Sequence, residues 1–315
     1  MAEQSVGRDL RQRPTVSVIV PAFNHRRYVA EALDSILECG YSDLEIVLLD
    51  DGSGDGTWDE ATAWREAHGG EVKMLAKRHD NVGLTKTLNR LLRLASGEYA
   101  VMLASDDRLL PGGVGVRVRF LEQRPGLIAV FGDCRVIDAH GRVVGEHGTG
   151  FGNAAARTRM SRDPAREIVE RWSVPGPVLM YRRDAVLAMG GYDESLSLED
   201  WDLYLRLASR DAIAFLDLVV AEYRWHGENT VARPETAVRL ADELRRVAWR
   251  SRTLFGGHLY LELVHETASW AARVAALRRR WPAWAGWKMA SILMKIVASV
   301  VPRRPSDQKL AKRSQ

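Results

Sequence analysis

The first hundred residues alternate between short apolar runs and stretches whose apolar positions recur at helical spacing, the rhythm of a parallel α/β sheet with crossover helices. Residues 15–20 predict a first strand that stops at Pro21, and Val29, Ala32, Leu33, Ile36 and Leu37 mark a helix over residues 27–38. Residues 44–49 read as a second buried strand, closed by the glycine-rich acidic loop Asp50-Asp51-Gly52-Ser53-Gly54-Asp55-Gly56-Thr57. A third strand over residues 72–76 and a helix over residues 84–94, with Gly97 as its stop signal, precede a fourth apolar run. That run, residues 99–105, ends on two adjacent carboxylates, Asp106 and Asp107.

Beyond Pro111 the pattern becomes α+β, with a turn at Asp138-Ala139-His140-Gly141 between two short strands. Residues 145–164 lack clear periodicity and are rich in Gly, Ala and Arg, which predicts a loop, either plain or an active-site lid. After Pro234 the chain turns helical and tryptophan-rich. In its last helix Met289, Ile292, Leu293, Ile296 and Val300 share one face, and Lys288, Ser291, Lys295 and Ser299 the other. Two lysines at a bilayer centre would cost roughly 2.5–3.5 kcal/mol each, so this helix is expected not to span a membrane. Either residues 281–301 lie in a membrane interface, or they pack on the body or on a second subunit.

With 315 residues and 46% hydrophobic content the chain can bury a sizeable core, and disorder as the overall state is excluded. Its only cysteines, Cys39 and Cys134, show no clustering, which supports neither a disulfide framework nor a zinc site and suits a reducing, cytoplasmic setting. Residues 1–13 contain no apolar core of a secretory signal and are expected to form a mobile tail. The net charge of +4 conceals an asymmetry: residues 240–315 hold 15 Lys and Arg against 5 Asp and Glu, a net +10, leaving −6 on the rest. A basic end suggests an anionic partner, and tryptophans beside an amphipathic helix favour a membrane surface over nucleic acid.

Two acidic loops follow two strands of one expected parallel sheet, where ligands bind outside the carboxyl ends of the strands. Adjacent carboxylates repel unless a cation sits beside them, and hard divalent cations take oxygen ligands. Asp50-Asp51 and Asp106-Asp107 are therefore expected to face one cleft that handles a metal and phosphate.

Val16-Ser17-Val18-Ile19-Val20-Pro21-Ala22-Phe23-Asn24, the acidic loop at residues 50–57, Asn81-Val82-Gly83-Leu84, and Ser96-Gly97-Glu98-Tyr99 leading to Ser105-Asp106-Asp107 together resemble the GT-A-fold, family 2 inverting glycosyltransferases. The resemblance spans roughly residues 14–230. It implies a Rossmann-related, mostly parallel sheet flanked by helices, with a nucleotide-sugar half (residues 14–110) and an acceptor half (111–235); the charge and helical spacing already described add a basic helical extension (236–315). It also implies a nucleotide-diphosphate sugar donor and a divalent cation, Mn²⁺ or Mg²⁺.

On the donor side the resemblance assigns Pro21, Phe23, Asn24, Asp51 and Asp106. A carboxylate at Asp51 can accept the imide N–H of a pyrimidine, and Phe23 can offer a ring face to it. Asp106 and Asp107 match the later part of the family's Asp-x-Asp region, whose first acid is replaced here by Ala104. Ribose is assigned to Asp106 and metal to Asp107. Gly190-Gly191-Tyr192-Asp193-Glu194 followed by Leu198-Glu199-Asp200-Trp201 resembles the acceptor-side motif, with Asp200 as catalytic base and Gly191 and Glu199 on the acceptor. An acid at a helix start is otherwise simply a cap. Tyr223-Arg224-Trp225-His226-Gly227-Glu228-Asn229-Thr230 resembles the segment after the last strand, which makes His226 a candidate at the metal or diphosphate. Asn81, Lys86 and Arg206 are candidate phosphate or scaffold residues, against helix capping or surface solvation as the plain reading of each.

These features imply transfer of a sugar from a UDP- or dTDP-type donor to a glycan or lipid-linked acceptor, with no nucleic-acid partner. A nucleotidyltransferase would want a glycine-rich basic loop near the N-terminus, and residues 21–27 are not glycine-rich. A catalytically silent sugar-nucleotide-binding protein is the alternative from another class.

Overall fold

The computed structural model describes residues 14–227, 229 and 234–301; the expected tail at residues 1–13, and Glu228 and Thr230, lie outside the described residues. The chain begins β1 (Val16–Ala22), α1 (Val29–Leu37), β2 (Leu44–Asp50), α2 (Thr57–Ala67), β3 (Lys73–Arg78), α3 (Leu84–Leu94) and β4 (Tyr99–Met102). β1 pairs in parallel with both β2 and β4, and β2 with β3, as the alternating pattern requires. β1 and β4 are buried along their whole length, because helices cover both faces of the sheet.

After the short β5 (Arg108–Leu109) come α4 (Gly113–Glu122), β6 (Ala129–Ile137) and β7 (Val143–Gly145), and then α5 (Ala154–Arg162) and α6 (Pro164–Glu170). β8 (Leu179–Arg182), α7 (Arg183–Ala188), α8 (Asp200–Ala208) and β9 (Ile213–Arg224) complete the body. One sheet runs β3-β2-β1-β4-β8-β6-β9-β5, with β7 attached to β6. β8 is antiparallel to β4 and β6, whereas β9 runs parallel to β6. The parallel region thus carries the first half and a mixed region the second.

The expected loop or lid at residues 145–164 is instead mostly helical. Asn153 Oδ1 accepts from the amides of Ala155 (2.9 Å) and Ala156 (3.2 Å) to start α5. Asp163 Oδ1 accepts from the Arg166 amide at 3.0 Å with Pro164 in the first turn, which starts α6. Buried Asp133 accepts from the Thr149 amide at 2.9 Å and pairs with His147 at 2.8 Å, fixing the entry to this segment.

At the amino ends of the parallel strands, buried Glu45 accepts from Ser17 Oγ (2.6 Å), Lys73 Nζ (2.6 Å) and the Ser96 amide (2.5 Å). Burial alone would raise its pKa, but these donors outweigh it and bring the carboxyl to about 2.

Helices α9 (Ala237–Ser251), α10 (Gly257–Leu277) and α11 (Trp281–Val300) form the extension. Leu259 and Leu263 of α10 join the core on the α8 side of the sheet. No described helix is long and apolar enough to cross a membrane. Met289, Ile292, Leu293, Ile296 and Val300 of the apolar face are exposed, and of the other face only Ser291 is buried.

Candidate active site

Loops at the carboxyl ends of β1 and β2 lock together. Asn24, in the left-handed region at φ 57°, donates its amide to Ser53 Oγ (2.9 Å) and accepts from the Gly54 amide at Oδ1 (2.9 Å). Phe23 beside it is 40% exposed and free to meet a flat ligand, whereas Pro21 is buried within β1. Asp51 accepts from the amides of Val82 (2.8 Å) and Gly83 (3.0 Å), so β2 and the entry to α3 share this carboxylate. Gly52 allows that approach: at φ +77° a Cβ would stand 2.8 Å from the Asn81 amide nitrogen.

The turn after β4 separates its two acids. Asp106 Oδ2 lies 3.0 Å from His226 Nε2 and Oδ1 lies 3.6 Å from His25 Nδ1. His25, Asp106 and His226 offer ligand atoms all within 4.8 Å of one another. Burial opposes ionisation of Asp106, but the His226 hydrogen bond and the two imidazoles hold its carboxyl below the usual range. Asp107 points elsewhere, accepting the Arg224 amide at 2.7 Å. Burial and the charge of Asp106 push its carboxyl well up, more than Arg224 can offset. The residue brought to the two histidines is therefore Asp106, whereas the sequence pattern favoured Asp107 for metal.

Arg224 ties this turn together from a fully buried position. Its Nε donates to Asp106 O (2.7 Å), Nη1 to Asp138 O (3.2 Å) and Nη2 to Glu31 Oε2 (2.5 Å). Its guanidinium lies 4.7 Å from the Tyr28 ring centroid, and Tyr28 stacks on His226 at 5.3 Å. An 840 Å³ cleft opens here, lined among others by Asn24, His25, Arg26, Arg27, Tyr28 and His226.

Glu199 and Asp200 stand half-buried at the start of α8, where Asp200 Oδ1 accepts the Trp201 amide at 2.7 Å. Burial raises both carboxyls, Asp200 to about 6 against the Trp201 hydrogen bond, and Glu199 to about 8 with the added charge of Asp200. The Tyr223 phenol in β9 is pushed up by burial and by the charges of Asp107, Asp106 and Asp200, among others, and so lies within electrostatic reach of both acid pairs. Asp106, Asp107 and Asp200 thus all bear on one buried phenol.

Gly191, expected on the acceptor, has a structural reason to be glycine: at φ +67° a Cβ would meet Asn89 Oδ1 at 2.4 Å. Arg206 donates to the carbonyls of Gly191 (2.6 Å) and Met189 (3.1 Å), holding the turn before α8 rather than facing solvent as its plain reading had it. Sequence reasoning missed His25, Tyr223 and Arg224 as site residues. His25 follows Asn24 directly at a strand-end loop, which is a visible signal, but the partners of Arg224 lie up to 193 residues away.

Residues 17–186, more than half the chain, match the family described as glycosyl transferase family 2. The chain belongs to that family. It is 27% identical to the chondroitin synthase of Escherichia coli over 222 residues, covering 70% of this chain and 30% of that one. A PGL/p-HBAD biosynthesis glycosyltransferase of Mycobacterium tuberculosis is 28% identical over 233 residues, 72% of this chain and 84% of its own. The chain spans about 30% of the length of the first two curated relatives it matches. Among solved structures, S. aureus TarS 1–349 with UDP-GlcNAc aligns at a TM-score of 0.61 and 19% identity, covering 89% of this chain and 81% of that one. A mannosyltransferase from Pyrobaculum calidifontis with GDP-Man and Mn²⁺ aligns at 0.59 and 19%, covering 92% and 87%. The likeness to these structures shows the GT-A fold.

Proposed function

We propose that this family 2 glycosyltransferase is an inverting, metal-dependent enzyme that moves a sugar from a UDP- or dTDP-type donor to a glycan or lipid-linked acceptor in cell-surface polysaccharide assembly. The observation that carries the reading is the opposite setting of two carboxylates: Asp106 is held ionised beside two histidines, while Asp200 is raised to about 6, suited to taking a proton near neutral pH.

One carboxylate and two imidazoles suit a divalent transition cation such as Mn²⁺ better than Mg²⁺, which prefers oxygen ligands. Asp106 and His226, with His25 in reach, would hold that cation, and it would supply charge neutralisation for the departing diphosphate. Asp107 would then keep the turn and its Arg224 contact rather than bind metal. Phe23 offers a ring to the base, and Asp51 keeps the loop that frames it, with lone pairs left for the imide. Asp200 removes the proton of the acceptor hydroxyl. The acceptor oxygen forms its bond to the anomeric carbon from the side opposite the leaving group, and the nucleoside diphosphate departs with the bonding pair. Glu199 orients the acceptor. The protein would work at the cytoplasmic membrane face, with residues 281–301 as the point of contact.

The test is metal-dependent hydrolysis and transfer over a panel of UDP-, dTDP- and GDP-sugars, with calorimetric titration of Mn²⁺ in parallel. Turnover lost in Asp200→Asn with Mn²⁺ affinity kept is the expected result. Wild-type protein that binds donor without turnover would be a silent binding protein, and undiminished turnover in Asp200→Asn would remove the base.

A further inference from the structure

Helix α11 meets the body through a narrow strip on which Ser291 and Ala298 are buried, held by polar contacts to α10. Lys295 Nζ meets Glu262 Oε2 at 2.6 Å, His265 Nδ1 meets Ser291 O at 2.8 Å, and His258 Nδ1 meets Ala298 O at 2.9 Å. Buried His258 continues through Nε2 to Glu170 Oε1 at 2.9 Å, so α6, α10 and α11 are joined by one internal polar network. A helix packing by hydrophobic burial would turn its apolar stripe inward. Here Met289, Ile292, Leu293, Ile296 and Val300 face outward, each 51–76% exposed. Trp281, Trp284 and Trp287 are exposed on the first two turns of the same helix.

The charge around this stripe has one sign. Residues 267–301 contain six Lys and Arg and no Asp or Glu, and Arg278, Arg279 and Arg280 are exposed at the turn from α10 into α11. A second copy docking on this face would bring two such acid-free basic segments together, with Lys295 alone already paired inward. An anionic lipid surface satisfies both features: the stripe enters the acyl boundary, tryptophans suit the interface, and arginines meet headgroups. We propose that α11 docks flat on an anionic bilayer, with its apolar stripe down and residues 278–280 at the headgroup level. This deepens the membrane placement proposed above and rests on it, but not on the transfer chemistry.

The test is flotation of the full chain with phosphatidylcholine vesicles, with and without phosphatidylglycerol. Wild-type protein is expected to float with the anionic vesicles and at least 10-fold less with the neutral ones. The double variant Ile292→Asp/Ile296→Asp and the triple variant Arg278→Glu/Arg279→Glu/Arg280→Glu should each lose at least 10-fold of that partitioning. Circular dichroism and soluble-donor hydrolysis should remain as in wild type, which separates loss of docking from loss of fold or of the transferase reading. Equal flotation of wild type and both variants, or no flotation of wild type, overturns the inference. So does a wild-type dimer in solution that Ile292→Asp/Ile296→Asp dissociates, since the stripe would then be covered by a second copy.

Discussion

Asp106-Asp107 and Glu199-Asp200 are both adjacent acids at the ends of regular elements, yet their surroundings treat them differently. The first pair is divided. Asp106 receives two imidazoles and is held ionised, while Asp107 receives one backbone amide and is pushed up. The second pair is met by backbone amides at the start of its own helix, that of Trp201 among them, and both of its carboxyls are raised. Identical chemistry thus acquires opposite proton affinities from the donors within reach.

The comparison breaks most sharply at Asp200. Asp200→Asn should lower kcat/KM for transfer by about 10³-fold, within the usual span of general-base catalysis, while Mn²⁺ binding by calorimetry stays unchanged. Asp106→Asn should do the reverse first, weakening Mn²⁺ affinity by about 10²-fold with activity following; unchanged affinity would return the metal to Asp107. Across pH, transfer by wild type should fall as the medium drops through about 6, because Asp200 becomes protonated.

Glu45 sharpens the contrast as an acid whose donors are all supplied. Its folded pKa is depressed to about 2, so its stabilisation is present above the unfolded value near 4.5 and is lost as pH falls toward 2. Glu45→Gln should cost about 2 kcal/mol in urea unfolding at pH 7, after allowance for the exposed Lys73, with kcat unaltered. Glu199 has the opposite sign. Its raised pKa means the folded state is favoured at low pH and loses stability as pH rises toward about 8. Glu199→Gln should therefore raise stability by about 1 kcal/mol at pH 8 and hardly change it at pH 4. It should leave the acid limb of the pH profile where it is, since Glu199 is already protonated and uncharged where Asp200 ionises.

Much of this arrangement was legible along the chain. Buried strands that end in polar loops identify themselves by composition, so β1, β2 and β4 and the acids beyond them could be placed without coordinates. The helices at residues 154–170 had signals too, in Asn153 and in Asp163-Pro164, but a low apolar content hid them behind the appearance of a loop. Periodicity separates the two faces of α11 without saying which one packs, because that choice is made by Glu262 and His265 on another helix. The division between Asp106 and Asp107 was illegible for the same reason: it is set by His226 and Arg224, more than a hundred residues later.

Arg224 carries a consequence for how the protein is made. It closes β9, the last strand of the sheet, and joins α1, the turn after β4 and the hairpin tip at Asp138. During synthesis from the amino terminus, every earlier strand leaves the ribosome while Asp106 and Asp107 still lack both His226 and the Arg224 amide. The contacts that hold Asp106 and Asp107 apart are therefore completed in one late step, after the start of α8 has already been made.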